Sequence, residues 1–290
     1  MSEARPALVV VGLVGKSIFM EVPHFHRDGE TIHVDGYHEE WGGKGFNQAV
    51  AAARQGARVS FFGKVGTAID AASVMDVCRA EEIEPHISSS DTDEKTALAT
   101  ILTDQAGETH VTVAPGAVLT VTDLGPELET AIAESAALVL NNEVPDDVNL
   151  FAARLAAKYG KPIVYNPAPA RPIPNELKAL VAVFTPNEVE EAALGDVSGE
   201  VVTTLGARGC RVRSTGEVLP PPKVGKVVDT TGAGDTFTGV FAARFAVCDG
   251  DVREACLAAN AAAAESVTRR YVLPSIPRPS PSPQERRTRT

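Results

Sequence analysis

The chain has 290 residues, of which 44% are hydrophobic and 22% are charged. These values are typical of one large α/β domain, or two smaller ones, with a substantial buried core. The net charge of −11 argues against nucleic acid as a partner, because an acidic protein repels a phosphate backbone.

The longest apolar run lies near the start, at residues 7–14, and is far shorter than the roughly 20 residues of a membrane span. We therefore expect no membrane partner. Four cysteines are scattered along the chain without a C-x-x-C pair: Cys78, Cys210, Cys248 and Cys256. This pattern predicts free thiols in a reducing compartment, and hence a cytoplasmic protein.

Short β-branched runs alternate with alanine-rich helical stretches along most of the chain. Strands are predicted at 7–13, 58–63, 137–141, 162–165, 181–185 and 201–205. Helices are predicted at 45–55, 70–81, 146–159, 187–194, 233–247 and 252–269. Buried strands that alternate with helices indicate an α/β fold with a mainly parallel sheet covered on both faces.

Two segments interrupt this alternation. Residues 30–39 and 96–113 look extended and have no helix between them, which predicts a small antiparallel sheet outside the main one. Residues 279–290 form a Pro/Arg-rich tail that we expect to be disordered.

The stretch from Gly12 to Ser17 ends in G-K-S and superficially suggests a P-loop. A P-loop needs G-x-x-x-x-G-K-[ST], and its first glycine would fall on Val10. The glycine at position 12 leaves a loop too short to wrap around a phosphate, so this interpretation is rejected.

A glycine-rich turn, D-T-T-G-A-G-D-T-F at residues 229–237, runs into a predicted helix. The free backbone N–H groups and the dipole of such a helix end form an anion hole. Asp235 would stand there as a base that takes a proton from an attacking hydroxyl. The alternative is an ordinary Asp cap on a tight turn.

A second glycine-rich stretch, W-G-G-K-G-F-N-Q-A at residues 41–49, precedes another predicted helix. Its glycines allow a ligand to approach the backbone closely, and Lys44 and Asn47 supply donors for hydroxyl groups. A flexible loop with a helix cap would account for the same pattern.

Together, these two stretches resemble the two signatures of the ribokinase-like (pfkB-type) carbohydrate kinases. The resemblance continues through N-P-A-P-A at 166–170, T-P-N-E at 185–188, T-L-G-A-R-G at 204–209 and P-S-I-P at 274–277. It implies a three-layer α/β/α fold, one kinase domain over residues 1–278, and a β-sheet lid in two pieces at about 15–40 and 95–115.

The resemblance also implies roles for individual residues. Asp235 matches the catalytic base, and the anion hole matches Gly232, Ala233 and Gly234. The expected sugar-binding residues are Ser17, Gly43, Lys44, Asn47, Glu143 and Asp235. The expected ATP-binding residues are Asn187, Thr204, Gly206, Gly209 and Asn260.

Two metal sites are implied in the same way. Asn187 and Glu190 match an N-x-x-E motif that holds Mg²⁺ through water, in keeping with the tendency of this ion to retain its waters. A monovalent-cation site, with K⁺ as a possible activator, matches Asp229, Thr231, Arg269 and Ser275.

Several positions depart from the family pattern. Gly15 and Ser17 replace the N-x-D whose carboxylate grips two sugar hydroxyls. Phe46 replaces a small residue and could stack on a base if it lined the pocket. Tyr271 stands where a glycine of the cation site is common, and the segment between Glu190 and Thr204 is short.

The leading function is ATP-dependent phosphorylation of the primary hydroxyl of a sugar, with ribose as the best single candidate. A nucleoside or other ribosyl-compound kinase is an alternative, as is a sugar- or nucleotide-binding regulator without turnover. The expected partners are a small sugar and ATP, and an edge strand of the lid could pair with a second copy in a homodimer.

Overall fold

A computed structural model describes residues 5–90 and 94–278. The predicted tail at 279–290 lies outside the described residues. In the part of the chain that is described, no helix is both long and apolar enough to cross a bilayer.

A nine-stranded sheet forms the centre of the molecule. Its strands are β1 (Ala7–Val11), β4 (Arg58–Val65), β5 (Ile83–Ser89), β8 (Ala137–Asn141), β9 (Ile163–Asn166), β10 (Val183–Phe184), β11 (Glu200–Thr204), β12 (Cys210–Val212) and β13 (Val218–Leu219). They lie in the order β13-β12-β11-β10-β9-β8-β1-β4-β5. Seven neighbouring strands, from β11 to β5, pair in parallel, and β12 and β13 add an antiparallel edge.

Helices cover both faces of this sheet. They are α1 (Lys44–Arg54), α2 (Ala68–Ala80), α3 (Glu127–Glu134), α4 (Asp146–Lys158), α5 (Asn175–Leu180), α6 (Glu188–Leu194), α7 (Ala233–Phe245) and α8 (Val252–Ser266). One core contains α1, α2, α7 and α8, and the other contains α3 to α6. Successive side chains of β1 alternate between them: Leu8 and Val10 enter the first core, and Val9 and Val11 enter the second. The three-layer α/β/α prediction is confirmed.

A separate four-stranded sheet forms the lid. Its strands are β2 (Gly15–Glu21), β3 (His38–Gly42), β6 (Leu98–Thr103) and β7 (Thr109–Ala114). The order is β3-β2-β6-β7, with β2 and β6 parallel and the outer pairs antiparallel. The sequence placed an extended segment at 30–39, but the strand begins only at His38; β2 coincides instead with the G-K-S stretch.

Two close approaches between glycines and their neighbours fix the position of α1. A Cβ on Gly12 would lie 2.5 Å from the Cα of Gly45, so the start of α1 rests directly on the end of β1. A Cβ on Gly239 of α7 would lie 2.2 Å from the backbone oxygen of Gln48. The glycine of the apparent P-loop therefore serves helix packing.

The first and last described residues meet at the end of α2. Arg5 forms an ion pair with Glu82 at 3.1 Å, and Arg278 forms one with Glu81 at 2.7 Å. Residues 5 and 278 are thereby tied to the same corner of the main domain.

Candidate active site

The glycine-rich turn at 229–232 ends in the N-terminus of α7. Gly232 is the cap residue and has φ = 75°, in the left-handed region that favours glycine. A Cβ there would also lie 2.4 Å from Cγ1 of Val272. The amides of Gly234 and Asp235 belong to the first helical turn, where N–H groups lack an intrahelical acceptor and can bind an anion. The Ala233 amide donates to Thr230 O at 3.3 Å.

Asp235 is buried, with 7% of its surface exposed, and its carboxylate is held by α1. Asn47 Nδ2 donates to Oδ2 at 3.0 Å, and Gln48 Nε2 donates to Oδ1 at 3.2 Å. Two neutral donors on one rigid helix orient the carboxylate without neutralising its charge. This arrangement suits a general base whose position matters.

Gln48 was missed by the sequence analysis, although it follows Asn47 in the same motif. It is fully buried, and its Nε2 also donates to Asn166 Oδ1 at 3.3 Å. Asn166 in turn donates to Thr185 O at 2.7 Å. A buried chain of amides therefore connects Asp235 to the ends of β9 and β10. In the sequence, Asn166 was noted only as part of the N-P-A-P-A segment shared with the family. No sequence pattern indicated its hydrogen bond to Gln48.

Lys44 is the positive centre of the site. Its pKa is raised chiefly by the charge of Asp235, with contributions from Glu143 and Glu190. Its backbone N–H donates to Glu143 Oε2 at 2.7 Å. Burial, supported by the charge of Asp235, raises the pKa of Glu143 to about 7 although Lys44 opposes the shift. The structure thus brings Lys44, Asn47, Glu143, Glu190 and Asp235 into one electrostatic cluster.

Ser17 lies on the lid side of the site. It pairs with Glu40 in the lid sheet, and its Oγ lies 2.5 Å from where a Cβ on Gly42 would be. Gly43 follows with φ = 100°, and a Cβ there would lie 2.5 Å from Leu13 O. The serine hydroxyl therefore sits over the glycines that open α1.

Phe46 is completely buried and packs edge-on against Phe61, with ring centroids 5.4 Å apart. The hypothesis that it could stack on a base in the acceptor pocket is wrong. The helical phase of α1 turns this side chain into the core while Asn47 and Gln48 face α7.

Asn187 and Glu190 cap α6 reciprocally. Asn187 Oδ1 accepts from the Glu190 N–H at 2.8 Å, and Glu190 Oε2 accepts from the Asn187 N–H at 2.8 Å. Burial raises the pKa of Glu190, with Asp235 adding to the shift. Across the described residues, no three His, Cys, Asp or Glu side chains are grouped to hold a metal. Mg²⁺ that keeps its waters and binds phosphates needs no such cage, so this pair fits a water-mediated role.

Thr204 is the last residue of β11, and Gly206 and Gly209 lie in the turn that follows it. Thr204 N donates to Pro186 O at 2.8 Å, which places this turn beside Asn187. Gly206 and Gly209 have φ = 58° and 89°. Asn260 lies behind this turn: it is 4% exposed, and its Nδ2 donates to Leu219 O at 2.8 Å and contacts Cys210 Sγ at 3.4 Å. A Cβ on Gly209 would lie 2.0 Å from the same Leu219 oxygen.

The residues of the expected cation site also lie together. Asp229 Oδ1 accepts from Thr231 N at 2.9 Å, and Oδ2 accepts from Tyr271 N at 3.0 Å. Arg269 donates to Ser275 O at 3.3 Å. Tyr271 has φ = 65°, a conformation that glycine adopts without strain, which explains why a glycine is common there.

The model of the pfkB family of carbohydrate kinases matches residues 6–279. A ribokinase of Haemophilus influenzae is 33% identical, with 94% of this chain and 96% of that protein covered. A bifunctional ribokinase/ribose-5-phosphate isomerase A of Fructilactobacillus sanfranciscensis is 31% identical over 93% of this chain. The match covers only 54% of the length of that bifunctional protein.

Among solved structures, Arabidopsis thaliana ribokinase complexed with ribose and ATP superimposes with a TM-score of 0.78 at 27% identity. The alignment covers 94% of this chain and 96% of that one. The chain belongs to the pfkB family of carbohydrate kinases, and the resemblance inferred from its motifs is confirmed.

Proposed function

We propose that the chain is a ribokinase, which transfers the γ-phosphoryl group of ATP to the primary hydroxyl of D-ribose. The observation that carries this proposal is the buried Asp235 carboxylate, oriented by Asn47 and Gln48 at the N-terminus of α7. The ribokinase relatives, and the structure of one with ribose and ATP, support ribose and ATP as the two substrates.

In the proposed reaction, Asp235 accepts the proton of the acceptor hydroxyl as its oxygen attacks the γ-phosphorus. A new O–P bond forms while the bond between the γ-phosphorus and the β–γ bridging oxygen breaks, and ADP leaves. The amides at Gly232–Gly234 stabilise the charge of the transferring group. Lys44 and Glu143 face the same centre and are proposed to bind sugar hydroxyls, together with Ser17 and Gly43.

Mg²⁺ is the proposed metal cofactor; when bound, it neutralises charge on the β- and γ-phosphates. Asn187 and Glu190 are proposed to hold its waters, and the turn at Thr204, Gly206 and Gly209 is proposed to contact the nucleotide. Asn260 remains a proposal at this site only through its carbonyl group and neighbouring backbone, because its side-chain nitrogen is engaged.

K⁺ is proposed as an activator at Asp229, Thr231, Arg269 and Ser275. Support for this site is the convergence of these four residues on the loop that contacts the anion hole. The proposed location is the cytoplasm, where ATP is available. The four cysteines are free, as a reducing compartment would keep them.

A homodimer through the lid is also proposed. Strand β7 is an edge of the lid sheet, and all six of its residues are exposed. An edge strand with exposed valines offers unpaired backbone groups to a second copy.

The test is a panel of acceptors assayed by coupled ADP detection. It contains ribose, 2-deoxyribose and a nucleoside, on the wild type and on Ser17→Asp and Asp235→Asn. We expect turnover of ribose, a fall in kcat of about 10²–10⁴-fold in Asp235→Asn, and a lower KM for ribose in Ser17→Asp. Asn keeps the shape of Asp235 but cannot accept the proton.

Four results would each contradict a different part of the proposal. A higher kcat/KM for the nucleoside than for ribose would show that the acceptor is a nucleoside. Ligand binding without ADP release would indicate a regulator. If the activity of Asp235→Asn were within tenfold of the wild type, Asp235 would not be the general base. A wild-type preference for ribose over 2-deoxyribose above about 10⁴-fold would show that another group replaces the acidic clamp.

A further inference from the structure

Glu40 of the lid strand β3 contacts the loop that follows α8. Its side chain is 6% exposed. Oε1 accepts from the Val272 N–H at 2.9 Å and from the Leu273 N–H at 3.3 Å. Oε2 lies 3.1 Å from His38 Nε2. A buried carboxylate with two backbone donors is a strong, directional contact between the lid and the main domain.

Two aromatic side chains of the lid contact the same loop. The His38 ring stacks on Tyr271 with centroids 3.8 Å apart, and Phe19 meets Tyr271 edge-on at 5.4 Å. Strands β2 and β3 therefore both contribute to the attachment, with Glu40 at its centre.

The other side of the loop faces the anion hole. The Val272 side chain lies so close to Gly232 that a Cβ on that glycine would be 2.4 Å from its Cγ1. The Tyr271 N–H donates to Asp229, which also accepts from Thr231 N. A shift of the 271–273 loop would therefore displace the turn that presents the anion-hole amides.

The lid side of Glu40 faces the sugar site. Glu40 is paired with Ser17 across β2 and β3, and two residues further β3 ends at Gly42, beneath the Ser17 hydroxyl. A ligand that moves or orders this end of β3 thus acts on Glu40 within the same strand.

We propose that Glu40 is a positioning residue that couples binding of the acceptor under the lid to binding of the nucleotide phosphates at the anion hole. It does so by holding the 271–273 loop against Gly232. The inference rests on the proposed function. Since coupling between two binding sites is reciprocal, each ligand must tighten the other by the same factor.

The experiment uses Trp41, which is the only tryptophan of the chain and adjoins Glu40. Its Nε1 donates to Ser73 Oγ at 3.1 Å, so its fluorescence reports on the junction of lid and main domain. Ribose is titrated with and without a non-hydrolysable ATP analogue and Mg²⁺, and isothermal titration calorimetry gives the same dissociation constants independently. For the wild type we expect ribose to bind about 5–100-fold tighter with the nucleotide analogue.

Variants on both faces of the contact are compared. The quantity compared is the ratio of the ribose dissociation constants without and with the nucleotide analogue. In Glu40→Ala this ratio should fall below about twofold, because two buried N–H groups lose their acceptor. Glu40→Gln keeps an acceptor oxygen and should retain part of the coupling. Val272→Ala, which leaves the backbone bonds but empties the contact with Gly232, should also weaken it. Glu39→Ala, at the exposed neighbouring residue, should leave the ratio unchanged.

A wild type without coupling, or a folded Glu40→Ala with the wild-type ratio, would overturn the proposal. The proposal would also be overturned if Glu39→Ala lowered the coupling ratio as much as Glu40→Ala does. If Glu40→Ala does not fold, Glu40→Gln and Val272→Ala decide by the same ratio. If the acceptor panel identifies a sugar other than ribose, that sugar is titrated instead, so a wrong substrate and a wrong coupling role give different results.

Discussion

Asp235 receives both of its side-chain hydrogen bonds from adjacent residues of one helix, and only one of these donors also reaches a second residue. Gln48 Nε2 is shared between Asp235 Oδ1 and Asn166 Oδ1. Asn47 binds the base and is also expected to meet the sugar. Gln48 has no expected ligand, and it links the Asp235 carboxylate to the Asn166 side chain.

We predict that Gln48→Ala lowers kcat about 10–100-fold, since a small misplacement of a catalytic group has effects of this size. In Gln48→Glu, a second negative charge next to Asp235 replaces a hydrogen-bond donor. The acid limb of the kcat profile should then move to higher pH. A pH–rate series measures both effects.

Gln55→Ala is the matched control for Gln48, because Gln55 lies at the other end of α1 and donates to Pro277 O. It should keep kcat and the pH profile. A Gln48→Glu enzyme with the wild-type acid limb would show that Gln48 does not influence the base.

Glu143 makes the stability of the free enzyme depend on pH. Its pKa is about 7 in the folded chain against 4.5 for the ordinary side chain. The folded state therefore keeps a proton that the unfolded state has released, so stability present below pH 4.5 is lost as pH rises through 7. We predict that Glu143→Gln abolishes this loss, on the order of 2–3 kcal/mol, in urea unfolding at pH 5 and pH 8.

The control is Glu134→Gln, at an exposed glutamate of α3. It should keep the wild-type difference in unfolding free energy between the two pH values. An identical pH dependence of the wild type and Glu143→Gln would show that the Glu143 pKa is not raised.

At the scale of elements, the contact between α1 and α7 sets the position of the Asp235 carboxylate. Gly239 lets α7 approach so closely that an added Cβ would lie 2.2 Å from Gln48 O and 2.8 Å from Ala51 Cβ. The contacted Gln48 oxygen belongs to the helix backbone, which cannot move aside as the end of a flexible side chain can. The two helices that carry Asn47, Gln48 and Asp235 would have to separate.

We predict that Gly239→Ala destabilises the chain by about 1–3 kcal/mol and lowers kcat as well, because overpacking displaces both helices. Thermal unfolding and the ADP assay measure the two effects. Gly225→Ala serves as control, since a Cβ there meets no atom within 4 Å, and it should change the unfolding free energy by less than about 0.5 kcal/mol. Full stability of Gly239→Ala would contradict the tight packing.

The elements that the sequence predicted well are the buried ones. The strand predicted at 137–141 is β8, and the helix predicted at 146–159 is α4, because long apolar patterns in a covered sheet have few alternative structures. Strand β2 was hidden by the G-K-S stretch, and β12 and β13 are too short for a pattern. The register of the lid strands could not be predicted, because most lid residues are at least partly exposed and their pattern does not define a buried face.

The residues of the candidate site also fall into those that the sequence predicted and those that it did not. Motifs placed Lys44, Asn47, Glu143, Glu190 and Asp235, which the structure brings into one cluster. Phe46 was misjudged because a glycine-rich motif does not reveal the helical phase of its members. Gln48 and Glu40 were missed because their partners lie 187 and more than 230 positions away in the chain.

At the scale of the whole molecule, the lid ends in an open edge. Val111 and Val113 of β7 are 56% and 59% exposed. We predict that Val111→Lys shifts the proposed dimer toward monomer, because a charge on an edge strand opposes pairing with a second copy. Analytical ultracentrifugation across a concentration series measures the shift.

The matched control is Val218→Lys on β13, the edge of the main sheet at the other side of the molecule, where valine is 49% exposed. It should leave the oligomeric state unchanged. A wild-type chain that sediments as a monomer at high concentration would contradict the dimer.

The meeting of Arg5 and Arg278 at neighbouring glutamates of one corner has a consequence for protein engineering. Both pairs lie just after the C-terminal end of α2, while Asp235 and its donors Asn47 and Gln48 lie where α1 and α7 begin. A short peptide could join residue 278 to residue 5, and new termini could be opened in a turn such as residues 214–217 without crossing the core. A circular permutant of this kind, or a fusion of a second enzyme at Arg278, should leave the lid sheet and the proposed site unchanged.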